Sequence, residues 1–259
     1  MSGKGRFVWY ELLTDDPEAA KAFYGAVMGW GTRPWEGDTT PYSIWTAGDT
    51  PLGGVMKLLP EGEQEGEAPH WWAHVAVDDV DATARRAQQL GGRIRTPGTD
   101  IPGVGRFAVI ADPQGAVIAV FKPTGEPMPA PEPMKTGAIS WHELHTTDHE
   151  SAWKFYAELF GWKRTTSLDL GEMGSYVVFR HPADPEDVSM GGMFDAAKDG
   201  NLPPHWLYYV NVKEMDGALR RITSEGGKVL HGPMDVPGGG KAAQCMDPQG
   251  ALFAVFSLN

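Results

Sequence analysis

From Phe7 to Thr14 the side chains alternate between two faces, and after Asp16-Pro17 the apolar positions recur at helical spacing until Gly29. Alternation with period two predicts a strand. Asp16 as N-cap, Pro17 in the first turn and Gly29 past the end predict a helix over residues 18–28. Residues 42–46 and 53–59, parted by the turn Gly48-Asp49, read as strands and complete a βαβββ pattern. The order then recurs, with a strand over 71–77, a helix over 79–90 stopped by Gly91-Gly92, and strands over 107–111 and 116–121 around the turn Asp112-Pro113-Gln114-Gly115. Helices near 150–160 and 215–225 announce the same series again, so four βαβββ motifs are expected.

The chain repeats itself at long range. Trp9-x-Glu11-Leu12-x-Thr14-x-Asp16, Phe23-Tyr24 and Gly29-Trp30 return 132 residues later as Trp141-x-Glu143-Leu144-x-Thr146-x-Asp148, Phe155-Tyr156 and Gly161-Trp162. His70-Trp71 and Asp112-Pro113-Gln114-Gly115-Ala116 return 135 residues later as His205-Trp206 and Asp247-Pro248-Gln249-Gly250-Ala251. A period this long means duplication of a whole domain, not a solenoid. The 259 residues divide into a first domain over 1–122, a linker over 123–137 whose five prolines favour stiff extended backbone, and a second domain over 138–259.

A formal charge of −12 without a Lys/Arg run argues against a nucleic-acid partner. There is no apolar run of membrane length and no signal-type segment before Phe7, and one cysteine, Cys245, excludes an intrachain disulfide. A cytoplasmic protein with no membrane association is expected. Cys245 itself reads as a small buried side chain. Gly238-Gly239-Gly240-Lys241 is not a phosphate loop, because Asp235 and Ala242 stand where that pattern needs Gly and Ser or Thr. Arg106 and Lys241 occupy equivalent places, where each is either a solvated cation or a contact for an anionic ligand.

A βαβββ motif covers one sheet face with its helix, so the alternate positions face an open cleft. On the first strand of each domain these are Trp9, Glu11 and Leu13, then Trp141, Glu143 and His145. On the strand opening each second half they are His70, Trp72 and His74, then His205, Leu207 and Tyr209. His70 and His205 follow prolines at strand starts and are read as bonding loop backbone. A buried carboxylate beside Trp is costly unless hydrogen-bonded, so Glu11 and Glu143 are either proton donors and acceptors or ties between strands. Trp9, Trp72 and Trp141, with His74, His145 and Tyr209, are candidate ligand-binding walls, the tryptophans being either stacking surfaces for a planar ligand or core filler.

Phe-Tyr before the Gly-Trp helix end, Val77-Asp78-Asp79-Val80-Asp81 and Asp-Pro-Gln-Gly-Ala together resemble the vicinal oxygen chelate superfamily, which includes glyoxalase I, extradiol dioxygenases and bleomycin-resistance proteins. The tandem Trp-x-Glu-Leu-x-Thr and the run from Asp100 to Phe107 look like its two-domain branch, which contains a culture-filtrate antigen and glyoxalase-like "hydroxylase" proteins. The resemblance implies an α+β fold of tandem vicinal oxygen chelate domains, four βαβββ units forming curved mixed sheets around clefts. It also implies where metal ligands would stand: Trp9 and Trp141, Trp72 and Leu207, Ala119 and Ala254, and the segments 53–56 and 191–194. None is a His, Gln, Asp or Glu, so no metal and no cofactor is expected; a displaced site could use Glu11 and His74 in the first copy, or Glu143 and His145 in the second, where Tyr209 stands opposite, and two or three candidate ligands are too few to hold an ion. The leading expectation is a metal-independent protein that binds or sequesters a small hydrophobic or planar metabolite. The alternative is a glyoxalase-type lyase or dioxygenase- or hydroxylase-like enzyme acting on a carbonyl or aromatic compound. Because one chain carries four motifs, a monomer is expected.

Overall fold

In the computed structural model, residues 3–37, 41–58, 67–125, 135–171, 174–198 and 202–258 are described. The first copy runs β1 (Phe7–Thr14), α1 (Pro17–Met28), β2 (Gly31–Pro34), β3 (Tyr42–Ala47), β4 (Thr50–Lys57), β5 (His70–Ala76), α2 (Val80–Gln89), β6 (Arg93–Ile101), β7 (Gly105–Ala111) and β8 (Val117–Pro123). The second runs β9 (Ile139–His145), α3 (His149–Phe160), β10 (Lys163–Asp169), β11 (Ser175–Arg180), β12 (Gly191–Phe194), β13 (His205–Asn211), α4 (Met215–Ser224), β14 (Lys228–Asp235), β15 (Lys241–Met246) and β16 (Leu252–Ser257). Each copy forms one eight-stranded mixed sheet, ordered β2-β3-β4-β1-β5-β8-β7-β6 and β10-β11-β12-β9-β13-β16-β15-β14. This is the expected α+β tandem of βαβββ motifs. The central segment of the expected linker, 126–134, lies outside the described residues.

The helix ends follow the sequence signals. Asp16 accepts from the Glu18 and Ala19 N–H groups at 3.0 Å, and Gly29 closes α1 with φ 72°, a left-handed geometry that costs a glycine little. The sequence reading placed no strand at β2, β6, β10 or β14, and the structure adds all four. They pair on one side only and are mostly exposed, with none of their residues buried, so they lack the apolar alternation that marks a strand.

Two compact units emerge from the contacts. One holds most of β5 to β8 with α2 and β9 to β12 with α3; the other holds most of β1 to β4 with α1 and β13 to β16 with α4. Each therefore takes one motif from each copy. In the first, the Tyr156 hydroxyl donates to Asp112 Oδ2 at 3.1 Å and accepts from the Trp206 indole at 3.0 Å, while Trp162 stacks on Phe179 at 4.6 Å. Phe7 stacks flat on His142, ring centres 3.7 Å apart. In the second, Tyr24 donates to Asp247 Oδ2 at 3.1 Å and accepts from Trp71 at 2.9 Å. Trp30 packs on Tyr24 and donates to the Gly137 carbonyl at 2.8 Å. The Phe-Tyr and Asp-Pro-Gln-Gly motifs thus meet crosswise, each helix tyrosine holding the turn of the other copy. None of the helices among the described residues is long and apolar enough to cross a membrane.

Candidate functional site

On β1 the alternation leaves Tyr10, Leu12 and Thr14 buried on the helix side and turns Trp9 and Glu11, both half-buried, to the other face. The Trp9 indole N–H donates to Tyr42 Oη at 2.8 Å, and the Tyr42 hydroxyl donates to Glu11 Oε1 at 2.8 Å. Burial, and then the neighbouring Glu11 charge, push the Tyr42 phenol well above its ordinary pKa, so it stays protonated and donates. Across the parallel pair β1/β4, Glu11 stands in register with Gly54. A Cβ on Gly54 would fall 1.9 Å from Tyr42 Oη, so the phenol occupies the space that a side chain would take.

The second copy repeats this arrangement and extends it. Trp141 donates to Tyr176 Oη at 2.9 Å, and Tyr176 donates to Glu143 Oε2 at 2.8 Å. Glu143 is in register with Gly192, whose absent Cβ would lie 2.0 Å from the Tyr176 ring. Where the first copy has Leu13, the second has His145, and its Nε2 lies 2.7 Å from Glu143 Oε1. Glu143 and His145 are both buried. The His145 ring lies 4.7 Å from His205 and 5.0 Å from Phe194. His205 Nδ1 is 2.8 Å from the Pro203 carbonyl, which can only accept, so that nitrogen carries the hydrogen. Burial lowers the His205 pKa to about 4 and keeps it neutral. Phe194, Val178 and Tyr176 form an apolar wall with Trp141 and Leu168 packed against it.

The structure brings together Trp9 with Glu11, and Trp141 with Glu143 and His145. Trp72 and His74 lie on β5, in the other compact unit from Glu11; His74 packs between Phe107 and Phe121. Tyr209 on β13 accepts from Gln244 at 3.4 Å, in the other compact unit from Glu143. His70 and His205 bond the carbonyls of Ala68 and Pro203 as expected. Arg106 is held by Asp81 and Asp100, each at 2.9 Å, and Cys245 is buried with its thiol pushed up to about 12 by desolvation. Sequence reasoning overlooked Tyr42, Tyr176 and the approach of His205 to His145. A tyrosine preceding a Gly-Gly pair in both copies was the available signal.

The residues at the metal-ligand positions expected from the resemblance do not fit a divalent ion. The indoles of Trp9 and Trp141 are committed as donors, Ala119 and Ala254 are buried methyl groups, and tyrosines fill the space over Gly54 and Gly192. Among the described residues no three His, Cys, Asp or Glu side chains cluster for a metal. Gly192→Ala should push Tyr176 off Glu143 and cost about 1–3 kcal/mol. Urea unfolding checks this, and an unchanged midpoint would show that the phenol has room to move.

Two stretches, residues 6–120 and 138–255, match the model of the Glyoxalase/Bleomycin resistance protein/Dioxygenase superfamily. CFP32, a candidate glyoxylase of Mycobacterium tuberculosis (strain CDC 1551 / Oshkosh), is 32% identical over 95% of this chain and 92% of its own. The anthracycline biosynthesis protein DauV of Streptomyces sp. (strain C5) is 30% identical over 98% of this chain and 94% of its own. Among solved structures, the Mn(II)-bound glyoxalase from Novosphingobium aromaticivorans shares the fold at a TM-score of 0.66 and 18% identity, over 100% of this chain and 83% of that one. With the family model covering both copies and relatives at this identity over nearly their whole length, the chain belongs to the Glyoxalase/Bleomycin resistance protein/Dioxygenase superfamily.

Proposed function

We propose that the protein is a metal-independent member of its superfamily that binds a small planar or hydrophobic metabolite. The observation that carries this reading is the Trp–Tyr–Glu chain over a glycine in each copy, with tryptophan and glycine at positions where the resemblance implies metal ligands. Indole and phenol offer flat apolar walls, and a carboxylate fixed by a tyrosine hydroxyl offers a polar group to orient a ligand. The similarity to a protein of anthracycline biosynthesis supports a polycyclic aromatic compound as one ligand class.

Intrinsic tryptophan fluorescence, titrated with anthraquinones, aromatic ketones and aldehydes, tests the proposal. Saturable quenching by at least one compound is expected, and its absence across the panel would remove the reading. Elemental analysis of untagged protein should find divalent metals well below one per chain; stoichiometric Ni, Zn, Fe or Mn would overturn metal independence. The tandem chain should scatter light as a monomer, and a dimer mass that persists on dilution would contradict this.

A further inference from the structure

We propose that the second copy carries a metal-free proton-transfer centre, in which His145 takes and returns a proton on a carbonyl compound with an acidic α C–H bond and Glu143 positions it. This rests on the small-molecule reading above and assigns it a chemistry. Three observations converge on His145. Its side chain and that of Glu143 are only 10% and 9% exposed, so their hydrogen bond is shielded from water while an edge stays accessible. Glu143 is held at its other oxygen by Tyr176, which fixes the carboxylate. An ionised carboxylate only accepts, so His145 Nε2 carries the hydrogen and Nδ1 is left as the basic atom.

The comparison between the copies supplies the third observation. Trp–Tyr–Glu recurs in both, whereas the position of His145 is filled by Leu13, 2% exposed, in the first. Packing is met there by an apolar side chain, so an imidazole is a costlier occupant that the scaffold does not require. His205 stands 4.7 Å away and is neutral, so it puts no like charge beside an imidazolium on His145.

In the step, the Nδ1 lone pair takes the α proton. The C–H electron pair becomes the enolate C=C bond, and the carbonyl π pair moves onto oxygen. The imidazolium, balanced by Glu143, then returns a proton to the oxygen or to carbon. The net result is tautomerisation or exchange of the α hydrogen, and no oxidant, reductant or co-reactant is consumed. The first copy, lacking the imidazole, binds without this step.

The test follows α-hydrogen exchange of 2-tetralone in deuterated water by proton NMR, beside its quenching of tryptophan fluorescence. The whole protein should exchange the α hydrogens faster than free imidazole at the same concentration. His145→Gln should lower the rate by about 100-fold or more with quenching retained. His145→Leu, which copies the residue of the first domain, gives the same readout if the glutamine variant does not fold. Glu143→Gln should reduce kcat by about tenfold or more, by more than it raises KM, and a primary isotope effect on α-deuterated substrate should accompany wild-type turnover. Exchange no faster than imidazole, or equal in wild type and His145→Leu, overturns this inference and leaves the binding reading standing. No quenching by any compound of the fluorescence panel removes the binding reading and this inference with it.

Discussion

Asp112→Ala is expected to lower the unfolding free energy by about 3–5 kcal/mol, a loss readable as a shift of the urea midpoint. The side chain is fully buried; its Oδ1 accepts from the backbone N–H groups of Gln114, Gly115 and Ala116 at 2.7–2.9 Å. Its Oδ2 accepts from the Tyr156 hydroxyl, so alanine would remove the side-chain acceptor of three backbone N–H groups and of one buried phenol, with Gly115 N–H keeping its bond to the Asp112 carbonyl. Asp247→Ala should behave alike, because Asp247 accepts from Gln249 N, Ala251 N and Tyr24. Burial outweighs these bonds and raises both carboxyl pKa values, so relief of the buried charge offsets part of the loss in each case. Tyr156→Phe should cost less, about 1–3 kcal/mol, since it removes two bonds, the one to Asp112 and the one from the Trp206 indole. A loss below about 1 kcal/mol in Asp112→Ala would show that the turn's own backbone bonds, such as Asp112 N to Ala116 O at 2.9 Å, suffice without the carboxylate.

Acidification should destabilise the protein through His142. Burial holds its pKa at about 4 against an ordinary 6.5, while its Nδ1 bonds the Met190 carbonyl at 2.7 Å and its ring stacks on Phe7. Between pH 6.5 and 4 the unfolded chain takes up a proton that the folded chain does not. The stabilisation is complete above 6.5 and is lost as pH falls through that window, levelling below about 4. The difference is worth about 3 kcal/mol. His205 acts with the same sign, whereas the raised pKa values of Asp112 and Asp247 act oppositely. The clean measurement is therefore the stability of wild type minus that of His142→Gln across this pH range, in which the shared groups cancel. A flat difference would mean that His142 is protonated in the folded state.

The local elements and the duplication are legible in the chain alone. Asp16 and Gly29 bound α1, alternation along β1 sorted Tyr10 and Leu12 from Trp9 and Glu11, and the repeat of both motif sets established two copies of one fold. These features are written within a few residues, where capping and periodicity act. The outer strands β2, β6, β10 and β14 were not legible, because an edge pairs by backbone and carries polar side chains on both faces. Glu11 and Glu143 stood out as cleft-facing carboxylates, yet their partners Tyr42 and Tyr176 lie 31 and 33 residues away on other strands and needed the register that sets them over Gly54 and Gly192. His145 meets His205 across 60 residues, and Tyr24 and Tyr156 reach the Asp247 and Asp112 turns of the opposite copy. These pairings follow from the packed fold alone, because burial forces each carboxylate, phenol and imidazole to find whichever partner the packed strands bring within reach, and chain spacing does not encode that choice.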